Sequence, residues 1–198
     1  MRLILASASP RRAEVLRDAG IPFEVCAVPV EEAPRPGEEV EELVARLADG
    51  KARAAAPRIH EPAIIIGADT AVELGRRILG KPRDATDARE MLSFLSGRTH
   101  RVLTGLCVLR VPEGTARSAV EITRVTFAPL TQEEIAEYVA SGEPFDKAGA
   151  YGIQGRAGRY IPRIEGCYFN VVGLPLARLY ALMKDLGWAE ERSEALAR

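Results

Sequence analysis

The stretch Arg2-Leu3-Ile4-Leu5-Ala6-Ser7-Ala8-Ser9-Pro10-Arg11-Arg12 sets the class of the fold. Residues 2–6 form an apolar run suited to a short buried strand and too short for a secretory segment. The small residues after it turn the chain. Ser9 suits a helix N-cap, Pro10 the first helical position, and Gly20 the stop after Ala13, Val15, Leu16 and Ala19. A strand, a tight loop and a helix in this order open an α/β chain. The loop also concentrates charge, because Arg11 and Arg12 fall in the first helical turn, where the helix dipole is already positive. Cations there cost a few tenths of a kcal/mol each unless an anion joins them. Ser7 and Ser9 add hydroxyl donors. The spacing suits an anion site and equally suits two solvated arginines with Ser9 as a plain cap.

Outward from this opening, residues 23–28 read as a second strand, and residues 38–56 as an amphipathic helix on Val40, Leu43, Val44 and Leu47. Residues 63–67 are an unbroken apolar run, as in a strand covered on both faces. That strand delivers Asp69 and Thr70 at its C-terminal end, where open α/β sheets hold ligands. A hairpin over 71–79 turning near Gly75 follows, then a helix over 84–95. Residues 101–111 and 116–127 read as an antiparallel pair around Pro112-Glu113-Gly114. Thr131-Gln132-Glu133-Glu134 is a capping box that opens a helix to residue 140. Beyond it come an irregular stretch over 141–159, two short strands around Gly166, a helix over 175–186 and a charged tail expected to fray. The pattern predicts a mixed α/β fold, a partly antiparallel central sheet flanked by helices. No repeat or low-complexity linker divides the chain, so it reads as one domain.

The composition excludes several classes. With 198 residues, 47% of them hydrophobic and 28% charged, the chain can bury a substantial core. Its 27 basic and 28 acidic residues leave a net charge of -1, which calls for neither a nucleic acid polymer nor a membrane as partner. Cys26, Cys107 and Cys167 are odd in number and widely spaced, fitting reduced cysteines in a cytoplasmic protein. Any anion must therefore be met by a local cluster.

Asp69 can hold a divalent metal or take a proton from water, although an aspartate after a strand is also a common turn residue. Glu31 and Glu32 lie in an acidic loop, an ordinary solvated face unless Asp69 is nearby. Lys51 and Lys81 are two of only four lysines, and with Arg11 and Arg12 they would supply the charge a triphosphate needs. From Gly149 the loop Gly149-Ala150-Tyr151-Gly152-Ile153-Gln154-Gly155-Arg156-Ala157-Gly158 places glycine at every third position. This spacing is not a dinucleotide fingerprint and suits a flexible surface loop. It also carries Gln154, one of two glutamines, whose amide can read a base edge with one donor and one acceptor. His60 and His100 lack partners at metal or triad spacing, which argues against a histidine-based nucleophile.

Taken together, these segments resemble the Maf family of nucleoside triphosphate pyrophosphatases. The resemblance rests on Leu5-Ala6-Ser7-Ala8-Ser9-Pro10-Arg11-Arg12, Gly67-Ala68-Asp69-Thr70, Gly80-Lys81-Pro82-Arg83-Asp84, Leu95-Ser96-Gly97-Arg98-Thr99-His100, the loop from Asp146 to Gly155, and Val172-Gly173-Leu174-Pro175. It implies two lobes with a cleft between them, a homodimer, and a divalent cation, Mg2+ or Mn2+. It implies Asp69 as general base, Arg11, Arg12, Lys51 and Lys81 as phosphate ligands, and Glu31 with Asp69 as metal ligands. Arg11, Thr70 and Gln154 match positions tied to substrate choice. Ser-Pro-Arg-Arg, Ala-Asp-Thr and Gly-Ile-Gln-Gly together are similar to the branch that hydrolyses dTTP and UTP. A nucleotide-binding regulator of septum formation with weak catalysis is the alternative that the resemblance carries.

Overall fold

The computed structural model describes residues 1–189. The charged tail expected to fray lies mostly outside the described residues.

Seven strands form one sheet in the order β2-β1-β3-β5-β6-β7, with β4 also paired to β3. β1 (Arg2–Leu5) lies parallel to β2 (Glu24–Val25) and to β3 (Ala63–Leu74), with Leu5 opposite Ile66. β3 then runs antiparallel to β4 (Arg77–Leu79) and, along nearly its whole length, to β5 (Thr99–Val111). β6 (Thr115–Thr126) and β7 (Arg163–Glu165) complete the sheet in antiparallel order. The mixed α/β architecture matches the expectation.

Helices cover both faces. One face packs on α2 (Val40–Ala55), whose N-terminus is closed by a reciprocal capping box between Glu39 and Glu42. Ile4, Ala6, Ala63, Ile65, Cys107 and Leu109 meet Ala48, Ala52 and Ala55 there. The opposite face packs on α1 (Pro10–Asp18) and α6 (Leu176–Asp185), with Leu3, Leu5, Ile64, Ile66, Leu106 and Val108 against Val15, Leu16, Leu179 and Met183. Farther along, α3 (Ala85–Leu95) and α4 (Gln132–Ala140) bury Val72, Phe127, Tyr151 and Tyr160.

Strand alternation assigns β3 residues to faces. Positions 63, 65, 67, 69 and 71 turn toward α2, and 64, 66, 68 and 70 turn toward α1 and α6. α2 comes so close that a Cβ on Gly67 would overlap the Ala48 carbonyl oxygen, and one on Gly105 the Val44 carbonyl oxygen.

Three local expectations need correction. The strand read as ending at residue 67 continues to Leu74, because β5 pairs with it residue by residue from Ala63 to Glu73. Asp69 and Thr70 therefore lie inside a strand. Only Glu24 and Val25 of the second expected strand are paired, both of them exposed at the sheet edge. Finally, the β-branched and aromatic run after Gly166 is not a strand but the short helix α5 (Tyr168–Val172). Its Asn170 donates to the Val102 carbonyl and to Thr123 Oγ1, both at 2.9 Å, so tertiary hydrogen bonds outweigh local strand propensity.

His100 is 1% exposed and its Nε2 shares a 2.7 Å hydrogen bond with the Tyr151 hydroxyl. Burial pushes its pKa down to about 4 from 6.5. The folded protein thus resists a proton that the unfolded chain accepts, and stability falls as pH drops from about 6.5 toward about 4. Between pH 7 and pH 5 the loss should be about 2 kcal/mol. Urea unfolding at the two pH values should show it, and His100→Gln should remove most of the difference, leaving the smaller share of the glutamates held below their ordinary range. The glycine contacts give a second check by the same method. Gly67→Ala should destabilise by about 1–3 kcal/mol through overpacking, while Gly50→Ala, whose Cβ meets nothing within 4 Å, should stabilise by about 0.5–1 kcal/mol.

Candidate active site

One edge of β3 changes partner along its length. It pairs with β1 as far as Ile66 and with β4 only from Val72. Between these points, residues 67–71 have a strand neighbour only on the β5 side. The loop leaving β1 (Ser7–Ser9) and the segment leaving β4 (Gly80, Lys81) flank this gap, which opens beside Asp69 and Thr70.

On the α2 face of the gap, Lys51 Nζ stands 2.6 Å from Asp69 Oδ1 and 2.6 Å from Glu32 Oε1. Lys51 reaches Asp69 because Gly67 and Gly105 let α2 settle onto the strands. Burial works to raise the Glu32 carboxyl, but Lys51, then Lys81 and Arg12, outweigh it and hold it below the usual range. Asp69 Oδ2 has no hydrogen-bond partner among the described residues, which leaves it able to accept a hydrogen bond.

On the other face, Arg12 is 8% exposed and all three of its nitrogens are engaged. Nε donates to the Gly173 carbonyl at 2.8 Å, Nη1 to Ser7 Oγ at 3.0 Å and Nη2 to Thr70 Oγ1 at 3.0 Å. Nη1 and Nη2 each keep a second N–H. Burial lowers the Arg12 pKa while the Asp69 charge pulls it back up. Thr70 Oγ1 lies 2.9 Å from Thr104 Oγ1, and Thr104 donates to the Asn170 carbonyl at 3.2 Å. A buried polar chain therefore joins α1, β3, β5 and α5.

Arg11, one position away, points outward and pairs with Asp146 at 2.8 Å. Ser9 occupies the cap position of α1 with extended backbone, but its side chain makes no cap bond, and its N–H donates to Ser7 Oγ at 3.2 Å. The first turn of α1 is thus left without a side-chain acceptor.

The structure thus joins Ser7, Arg12 and Thr70 directly, and Lys51 with Asp69. It places Lys81 within electrostatic reach of Glu32. Glu31, Lys81 and Gln154 make no side-chain hydrogen bond or ion pair among the described residues. Glu32 rather than its neighbour Glu31 meets Lys51, a choice that two adjacent glutamates in a loop do not reveal by spacing. Asp146 and the Gly173 carbonyl also went unrecognised, since each acts across more than a hundred residues of chain.

The triply spaced glycines have a different cause from the expected loop flexibility. A Cβ on Gly152 would press on Lys147 Cε, and one on Gly155 would overlap the Glu143 carboxylate. Gly149 adopts φ +70 against Val72. The loop is held by its own polar packing.

The two arginines should separate in a stability measurement. Arg12→Lys cannot span three acceptors and should lower unfolding free energy by about 2 kcal/mol or more. Arg11→Ala removes a partly exposed pair and should cost about 1 kcal/mol or less. Equal denaturation midpoints for the two variants would contradict this division.

Comparison with known proteins shows the family. The family model described as Maf-like protein matches residues 2–186. The chain is 48% identical to a Carboxydothermus hydrogenoformans protein named dTTP/UTP pyrophosphatase, over 95% of this chain and 100% of that protein. It is 51% identical to a Symbiobacterium thermophilum protein of the same name, over 94% of this chain and 95% of the relative. Among solved structures, the Staphylococcus aureus Ham1 protein superimposes with a TM-score of 0.50 at 16% identity, covering 94% of this chain and all of the other, a likeness of fold alone. Matched by the family model from Arg2 to Leu186 and about half identical to these relatives over nearly its whole length, this chain belongs to the Maf-like protein family.

Proposed function

We infer that this chain hydrolyses dTTP and UTP to the nucleoside monophosphate and pyrophosphate. The observation that carries the reading is the gap in the β3 edge, with Lys51, Asp69 and Glu32 on one side and Arg12, Ser7 and Thr70 on the other. Relatives about half identical over nearly the whole chain, named for this reaction, support the substrate class.

Arg11, Arg12, Lys51, Lys81 and the hydroxyls of Ser7 and Ser9 bind the triphosphate oxygens, next to the uncapped first turn of α1. Asp69 takes a proton from the water that attacks the α-phosphorus. The new oxygen–phosphorus bond forms as the bond to the bridging oxygen breaks, and pyrophosphate leaves with that electron pair. The cations stabilise the charge developing on the phosphoryl oxygens and the leaving group. Arg11, Thr70 and Gln154 select the base.

Asp69 and Glu32, with Glu31 beside it in the chain, offer hard carboxylate oxygens that suit Mg2+ or Mn2+. No group of three or more Asp, Glu, His or Cys side chains is assembled for a metal among the described residues. Such an ion would draw on phosphate oxygens and water as well, the usual habit of Mg2+. When bound, it neutralises phosphate charge and acts as a Lewis acid. Two lobes and a homodimeric assembly, as the family resemblance implies, and one domain in a cytoplasmic setting, as the undivided chain and its spaced cysteines suit, complete the reading. No helix among the described residues is long and apolar enough to cross a membrane.

A panel of dTTP, UTP, dCTP, dATP and GTP with Mg2+ or Mn2+, with products identified, tests the proposal. dTTP and UTP should yield monophosphate and pyrophosphate, and Asp69→Asn should slow turnover about a hundredfold or more. Tight nucleotide binding with no pyrophosphate release by the unaltered protein would reject hydrolysis in favour of a regulatory role. Near-normal turnover by Asp69→Asn would reject the base.

A further inference from the structure

The turn that carries Gln154 rests on one carboxylate. Glu143 Oε1 accepts from the Tyr138 hydroxyl at 2.8 Å, and Glu143 Oε2 accepts from the Arg156 backbone N–H at 3.0 Å. The Tyr138 oxygen in turn accepts from the Gly152 N–H at 3.2 Å. The Gly155 N–H donates to the Gly152 carbonyl at 3.1 Å, which closes a turn with Ile153 and Gln154 at its centre. Both sides of the turn are therefore tied to Glu143, one directly and one through a phenol.

Glu143 is itself held in place. Its carbonyl accepts from Lys147 Nζ at 2.6 Å, and the same ammonium pairs with Asp146 at 2.6 Å. Tyr138 is 1% exposed, and burial together with the Glu143 contact pushes its hydroxyl far above the ordinary range. It therefore stays protonated, donating to the carboxylate while its oxygen receives Gly152. Gly155 lies so close to Glu143 that any side chain there would displace the carboxylate.

Gln154 is exposed, and its amide makes no hydrogen bond among the described residues. Nothing but the backbone of its turn aims it. We propose that Glu143, acting with Tyr138, is a specificity-positioning residue that sets the orientation of the Gln154 turn, and with it discrimination of the pyrimidine base, without touching the nucleotide. The proposal rests on the reading of Gln154 as the base reader.

Glu143→Gln replaces one acceptor oxygen with an amide donor, so one of the two tied donors loses its partner. Tyr138→Phe removes only the bridging hydroxyl and decides the matter if Glu143→Gln does not fold. In steady-state kinetics each variant should raise KM for dTTP about tenfold with kcat changed less than about threefold. Each should also lower the dTTP over dCTP ratio of kcat/KM. Gln154→Ala should lower that ratio too, and adding Glu143→Gln to it should lower it no further. A lowered ratio in Gln154→Ala with an unchanged ratio and KM in both clamp variants would overturn the proposal. Lost thermal stability in the clamp variants with full discrimination would overturn it as well. A drop in the clamp variants beside an unchanged Gln154→Ala would support the clamp and reject Gln154 as reader. No change in any variant would reject both.

Discussion

The ladder between β3 and β5 is the interaction on which the rest of the molecule depends. It runs in register from Ala63–Val111 to Glu73–Arg101, so β3 stays extended well beyond the end of its parallel neighbour β1. Without it, the chain would be free to turn away after Ile66. With it, the backbone from residue 67 to residue 71 remains straight while one edge stands unpaired between β1 and β4. The candidate site is that interruption. Strand alternation then does the sorting, placing Asp69 toward Lys51 on α2 and Thr70 toward Arg12 on α1.

Arg11 and Arg12 show how adjacent, chemically identical residues acquire different work. About 100° of helical rotation separates them. It carries Arg12 inward, where Gly173, Ser7 and Thr70 accept from each of its three nitrogens and two N–H groups remain over. Arg11 is carried outward to an exposed carboxylate on Asp146, a partner easily exchanged for another anion. The buried arginine ties the loop after β1 to the sheet and to the end of α5. The half-buried one ties the same helix to the loop that carries Asp146.

The loop from Lys147 to Gly158 replaces regular structure with a polar scaffold. Glycines there are spaces into which Lys147 and Glu143 fit, and the only regular pieces are the short 3-10 helices Ala148–Ala150 and Arg156–Tyr160. The N–H groups of Gly152, Gly155 and Arg156 find acceptors within the protein, while the exposed Gln154 amide makes no hydrogen bond among the described residues.

Much of this was legible in the sequence, because it depends on local rules. The strand–loop–helix opening, the capped helices and the antiparallel pair follow from turn chemistry and hydrophobic periodicity, and the six matching segments identified the family. Those signals end where contacts join residues far apart in the chain. No spacing rule tells that Glu32 rather than Glu31 faces Lys51, that Asp146 meets Arg11, or that the run after Gly166 coils because Asn170 bonds to Val102 and Thr123. The sequence by itself determined which residues carry charge, which segments bury apolar surface and which family they compose. Only the tertiary structure decided which charges pair, which arginine is buried and where the β3 edge opens, because those outcomes depend on distances between segments that the order of residues along the chain does not contain.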